Sequence, residues 1–175
     1  MSTQECDNGE TSLPYGEVNW ETNFRENPEE YTIGRGQFGV LKAEPYKSEI
    51  LPHWSYKDKQ SAEKSAYRIL RLFYWYVDDR DFVGADMAKK YLHMGFTRAM
   101  RYAKYPGGEK YKDNGDQKQP HGPDTTGEWA DPSKRRAAVV FRKAWKEARN
   151  NDTYNSLKKL HDKGELYKQQ SLSNY

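Results

Sequence analysis

Residues 81–105, DFVGADMAKKYLHMGFTRAMRYAKY, repeat their apolar and polar positions at spacings of three and four. That is the period of an α-helix. On such a helix a small-apolar seam holds Ala85, Ala88, Leu92, Phe96, Ala99 and Ala103. A polar, mostly basic stripe holds Asp86, Lys90, His93, Thr97, Arg101 and Lys104. Between them runs an aromatic-basic stripe of Tyr91, Met94, Arg98, Tyr102 and Tyr105. Cations interleaved with rings on a solvent face suit an anionic, ring-bearing partner such as nucleic acid.

Upstream, residues 58–78 read as a second helix, with Ala62, Ala66, Ile69, Leu70, Phe73 and Val77 inward and Asp58 or Ser61 as its cap. Asp78-Asp79-Arg80-Asp81 breaks the period, and Asp81 can cap the helix that follows. So short a connection makes the two helices antiparallel neighbours. Downstream, Pro106-Gly107-Gly108 is a firm stop. Residues 106–130 form a long Gly-, Pro- and Lys-rich loop. Asp131-Pro132 opens a third helix at 132–150 that buries Ala137, Phe141, Ala144, Trp145 and Ala148. Asp152 opens a fourth at about 153–163. Residues 30–44, EYTIGRGQFGVLKAE, read as two short strands around a glycine turn. The expected architecture is mainly α: one small domain at 29–163, with an N-terminal β-hairpin packed on an antiparallel helix pair and two further helices. A frayed tail follows at 164–175.

Composition sets the limits. The chain has 175 residues with 14 Tyr, 5 Trp and 6 Phe, so the core should be aromatic-rich. Mean hydropathy is −1.19 and no apolar run is long enough to span a bilayer. MSTQECDNGE is no secretory leader, and Cys6 is the lone cysteine, which together fit a cytoplasmic protein. The net charge of +3 is uneven. Residues 1–30 hold eight acids against Arg25 alone, so the rest of the chain carries +10. A basic body suits a polyanion; the acidic arm at 1–28, expected to be flexible, either solubilises it or tempers that binding. Trp20 and Phe24 are the residues expected to fasten the arm to the body.

Gly34-Arg35-Gly36-Gln37-Phe38-Gly39 imitates the G-x-G-x-x-G loop of protein kinases, but no H-R-D or D-F-G accompanies it. It reads as a plain hairpin; in a phosphate-cradling one, Arg35 and Lys42 would be the contacts. Tyr46, Lys47, His53 and Trp54 cluster between two prolines. There Lys47 can grip a phosphate, while Trp54 either stacks on a base or plugs the core. The four histidines share no metal-ligand spacing, so neither a metal site nor a cofactor is expected. No nucleophile motif is present, so nothing marks a catalytic residue.

Three blocks belong together: GRGQFGVLKAEPYKSEILPHW at 34–54, DFVGADMAKKYLHMGFTRAMRYAKYPGGEKY at 81–111 and DPSKRRAAVVFRKAW at 131–145. Over about residues 30–150 the chain resembles the domain-of-unknown-function family four-three-eight-five. The resemblance implies a compact domain of bacterial or phage type, with basic residues at Lys89, Lys90, Arg98 and Arg101. Met100 departs from it, standing where an arginine is more usual. It implies no activity.

The expectation is thus a nucleic-acid-binding accessory protein. Phosphates would be met by Arg35, Lys47, Lys90, Arg98, Arg101 and Lys104, with stacking surfaces on Tyr102 and Tyr105. Two alternatives stand beside it. One is a protein-interaction module anchored on the same rings. The other is a small enzyme or binder for a phosphorylated or nucleotide ligand, which needs Arg35, Lys47, His53 and Arg101 to converge.

Overall fold

The structure is a computed structural model and describes residues 18–168. Most of the acidic arm, Cys6 and the last seven residues of the expected tail lie outside that span. The main α-helices are α1 (Tyr46–Ile50), α2 (Lys59–Asp78), α3 (Phe82–Lys104), α4 (Pro132–Arg149) and α5 (Asp152–Asp162), and residues 166–168 are helical too. Short 3-10 turns occupy Pro28–Glu30, Leu51–His53 and Pro106–Gly108.

The long helices begin where side chains can satisfy the first free N–H groups. Asp58 accepts from Ser61 N–H at 2.8 Å and Asp81 from Gly84 N–H at 3.1 Å. Asp131 accepts from Lys134 N–H at 3.0 Å. The cap of α5 is Asn151, accepting from Tyr154 N–H at 2.8 Å, one residue before the expected Asp152. Between α2 and α3, Arg80 takes the left-handed region at φ 56°, and Asp81 N–H closes on Tyr76 C=O at 2.8 Å. The chain reverses within three residues, and α2, α3 and α4 pack against one another as the core.

α3 is the central element. Its small residues set how closely the neighbours approach. A Cβ on Gly95 would stand 2.5 Å from the Phe141 ring, and one on Gly84 would stand 2.7 Å from Tyr76. The seam residues Ala85, Ala88, Leu92, Ala99 and Ala103 are buried, and Phe96 is half-buried. So are residues from both other stripes: Asp86, Lys90, Tyr91, Met94 and Tyr105. The first half of α3 is covered on nearly every side.

The expected N-terminal β-hairpin is absent. Among the described residues there is no strand, only an isolated bridge between Tyr111 and Gln117. Residues 30–44 run as turns over α3, with Gly36 and Gly39 at φ 57° and 84°. Side chains of α3 take the carbonyls a ladder would have paired. Lys90 Nζ donates to Gly34 C=O at 3.0 Å and Phe38 C=O at 3.2 Å, and the Tyr91 hydroxyl donates to Val40 C=O at 2.5 Å. With its acceptors met from below, the segment has no need of a partner strand.

The rest of the N-terminal segment is held by aromatics. Phe24 is fully buried, and Trp20 packs edge-on against Phe38 at 5.3 Å. At the other end Leu166 is buried, so the chain stays on the body past Gly164.

Candidate functional site

The second half of α3 emerges from the core and exposes Arg98 and Arg101, with Thr97 and Tyr102 half-buried beside them. These four form one wall of a cleft of about 510 Å³. Gln37 of the glycine-rich turn and Tyr56, just ahead of α2, form the other, and Gly108 closes the end. No carboxylate lines it.

The turn after α3 builds part of this cleft. Gly107 and Gly108 sit at φ 63° and 72°, which glycine adopts without steric cost. Gly108 lies so close to the Tyr102 ring that a Cβ would stand 3.0 Å from it. Its carbonyl accepts from Arg101 Nε at 2.6 Å, which fixes the plane of that guanidinium. The Arg98 guanidinium lies 5.8 Å from the Trp54 ring centroid. Lys134, on the first turn of α4, donates to Tyr56 C=O at 3.0 Å. Its ammonium stands 4.8 Å from the Tyr56 centroid and 5.3 Å from that of Tyr102. Trp54, Tyr56 and Tyr102 follow one another at centroid spacings of 5.0 and 6.1 Å. Among the described residues neither Arg98 nor Arg101 pairs with a carboxylate. Cations held against rings lose less freedom when an anion arrives.

Other expected contacts fall elsewhere. Arg35 is exposed on the glycine-rich turn, two residues from Gln37, and does not line the cleft. Lys47 is half-buried on α1 and does not line it either. Lys104 is half-buried at the end of α3, where its carbonyl accepts from His121 N–H at 2.8 Å. Tyr105 is buried, its hydroxyl accepting from Gln117 Nε2 at 2.9 Å. His53 lines a different hollow, with Arg68 and Trp75. Of the four groups a nucleotide enzyme would bring together, only Arg101 lines this cleft.

Lys90 is a strut. It is 3% exposed and pairs with the fully buried Asp86 at 3.5 Å. Asp86 also accepts from the Tyr31 hydroxyl and, at 2.7 Å, from that of Tyr154, and Lys89 stands 3.5 Å away. Burial alone would push the Asp86 carboxyl up. The two ammoniums and the two hydroxyls outweigh it and hold it below the usual carboxylate range. Burial pushes Lys90 below the usual lysine range, against the pull of Asp86. The network ties residues 31–38 and α5 to α3.

α4 extends the positive charge. It carries seven cations against one acid, Glu147, whose carboxylate accepts from the Tyr74 hydroxyl at 2.5 Å. That bond and burial push the Tyr74 hydroxyl up to about 12. Arg142 lies 6.0 Å from the Phe96 centroid and Arg149 4.5 Å from that of Trp145. His93 stacks on Trp145 at 4.5 Å. Burial and the nearby Lys89 and Arg149 push His93 below its ordinary value.

Tyr56, Gln37 and Lys134 have no local mark in the sequence. Tyr56 sits between a proline loop and a helix cap, Gln37 inside the kinase-like glycines, and Lys134 in a basic run. Thr97 and Arg101, one turn apart, were marked by their shared stripe.

Fold and cleft define a helical protein with a surface hollow lined by two arginines and two tyrosines. Residues 14–164 match the domain of unknown function DUF4385, and the chain belongs to that family. No curated protein and no solved structure matches it. Among the described residues no helix is long and apolar enough to cross a membrane, and no group of His, Cys, Asp and Glu could hold a metal.

Proposed function

We propose that the protein binds nucleic acid, single strands above duplexes, through the cleft between Arg98, Arg101, Tyr102 and Tyr56. One observation carries this reading: two arginines without a carboxylate partner share a carboxylate-free hollow with two tyrosine rings. Phosphates meet the guanidiniums, and unstacked bases meet the rings. Duplexes keep their base faces covered and so lose the second half of the interaction.

The α4 cations add positive charge nearby: His93, which stacks on the Trp145 ring beside Arg149, lies one turn ahead of Thr97 on α3. Phosphate contacts of this kind set affinity with little sequence preference.

The test is a fluorescence-anisotropy titration with single-stranded DNA, single-stranded RNA and duplex DNA at low and moderate salt. The wild-type protein is expected to bind single strands tighter than duplex at low salt. Arg98→Glu with Arg101→Gln is expected to weaken that binding at least about tenfold, with the circular dichroism unchanged. Free nucleoside monophosphate is expected to compete poorly, since it lacks neighbouring phosphates. No binding at low salt, or binding indifferent to the double variant, overturns the reading. Displacement by the mononucleotide as readily as by the oligomer would move it to a small phosphorylated ligand.

A further inference from the structure

The outer face of α2 carries rings that the fold does not cover. Tyr67 is 62% exposed and Trp75 56%. They stand eight residues apart on one helix, about 12 Å at the helical rise. Between them lies a hollow of about 480 Å³ lined by these two rings, Leu72, His53, Arg68 and Arg71. Arg71 Nη1 donates to the Tyr67 hydroxyl at 3.4 Å, and its guanidinium lies 5.7 Å from that ring centroid. Lys64, Arg68, Arg71 and Trp75 follow at spacings of four, three and four, so they form one stripe. Among the described residues none of these three cations pairs with a carboxylate. Asp78 and Asp79 come a turn later and do not line the hollow.

On the other side of Tyr67 a second hollow of about 420 Å³ runs between α2 and α4. It is lined by Ala66, Leu70, Val140, Ala144 and the exposed Val139, together with Glu63, Glu147 and Lys143. Two adjoining hollows thus share one exposed ring as their ridge. Exposed aromatic and aliphatic area of this kind, edged by arginine, is the make-up of a protein-binding surface.

We propose that this face of α2 docks an acidic segment of a partner protein. Large apolar side chains of the segment fill the hollows on either side of Tyr67, and its carboxylates meet Lys64, Arg68 and Arg71. Charge complementarity selects the acidic partner: the stripe offers three cations at one-turn spacing and no acid between them. A nucleic acid suits the face poorly. The second hollow is mostly aliphatic, with Lys143 its one cation against Glu63 and Glu147, and rings about 12 Å apart do not match successive bases. This proposal is independent of the cleft at Arg98 and Arg101.

The test is selection of short random peptides displayed on phage against the full-length protein, followed by affinity measurement on synthetic copies of the enriched sequences. Enriched peptides are expected to combine Asp or Glu with Leu, Phe or Trp. Arg68→Glu with Arg71→Glu, and separately Trp75→Ala, are expected to weaken them about tenfold each. Both changes are on exposed side chains, and circular dichroism checks that the fold survives. Arg98→Glu should leave peptide affinity unchanged. The proposal is overturned if no sequence enriches, if enriched peptides are basic, or if they bind both α2 variants as well as wild type. Displacement of the peptide by single-stranded DNA would assign the face to nucleic acid and overturn it too. Self-association in sedimentation velocity that Trp75→Ala abolishes would assign the face to a second copy, with the same consequence.

Discussion

Lys90 donates to two backbone carbonyls, faces a tyrosine hydroxyl and pairs with the buried Asp86. Replacing it with methionine keeps much of the stem but leaves Asp86 with Lys89 as its one ammonium beside the two tyrosine hydroxyls, and takes a donor from the two carbonyls. Breaking a buried pair in this way costs about 3–5 kcal/mol. Urea denaturation of Lys90→Met should show that loss, while Lys64→Met on the exposed face of α2 should stay within about 0.5 kcal/mol of wild type. A small effect at Lys90 would mean that the N-terminal segment is held some other way. Helical spacing placed Lys90 on a basic stripe with Arg101, and that placement on the helix is right. Exposure is a separate matter: it depends on which segment lies over the helix, here residues 31–40. Asp86 on the same stripe was the available hint, since a carboxylate one turn from a lysine can neutralise it inside.

His161 joins two distant segments at the same scale. Its Nε2 lies 2.8 Å from Tyr31 C=O and its Nδ1 2.6 Å from the Tyr167 hydroxyl. The neutral ring with the proton on Nε2 meets both partners. Burial pushes its pKa below the ordinary value, against Tyr31 C=O, Asp162 and Asp86, and burial does the same to His93. The sign follows from linkage. The unfolded chain takes up these protons first, so stability is full above about 6.5 and falls as the pH drops below it. The thermal midpoint should therefore decline from pH 7 toward pH 5, and His93→Gln with His161→Gln should flatten that decline. A midpoint in the double variant that falls as steeply as in wild type would contradict this assignment.

At the scale of elements, α3 is shaped by its smallest residues. Gly95 lets the Phe141 ring lie against the helix backbone. Alanine is the better helix former by about 1 kcal/mol. Its Cβ would stand 2.5 Å from that ring, so crowding should prevail. Gly95→Ala is expected to destabilise by about 1–3 kcal/mol, read from the denaturation midpoint. A stabilised variant would show that α3 and α4 pack less tightly here. The long helices were legible because periodicity, caps and the Pro-Gly-Gly stop all agree on their bounds. The glycine-rich segment was misread as a hairpin for a physical reason: β-branched and aromatic residues beside glycine favour extended chain, but strands also need each other's carbonyls. Lys90 and Tyr91, fifty residues away in sequence, claim those carbonyls first. The cleft was half legible. Arg98, Arg101 and Tyr102 follow from spacing on one helix, whereas Tyr56 and Gln37 reach it from two other segments and Lys134 of α4 braces the Tyr56 and Tyr102 rings, and no local pattern records such a meeting.

At the scale of the whole molecule, the sequence puts eight acids in residues 1–30 and a net +10 in the rest. In the described N-terminal segment Thr22 donates to Glu30 at 2.7 Å, and Arg25 holds Glu49 of α1 through two contacts at 2.7 and 2.8 Å. Arg98 at the exposed end of α3, and Arg142 and Arg149 of α4, face solvent beside rings. Such a surface should bind single strands with a steep salt dependence. Replacing Arg98 and Arg101 with glutamine should lower the slope of log K against log salt by roughly 1–2, about 0.7 for each lost phosphate contact. An unchanged slope would place the phosphates elsewhere. The most direct measurement is photo-crosslinking of the protein to bromodeoxyuridine-substituted single-stranded DNA, with the adducts located by mass spectrometry. Adducts are expected on Tyr56 or Tyr102 and should vanish in Arg98→Glu with Arg101→Gln. Adducts confined to other surfaces, such as the Tyr67 and Trp75 face of α2, or no adduct at low salt, would contradict it.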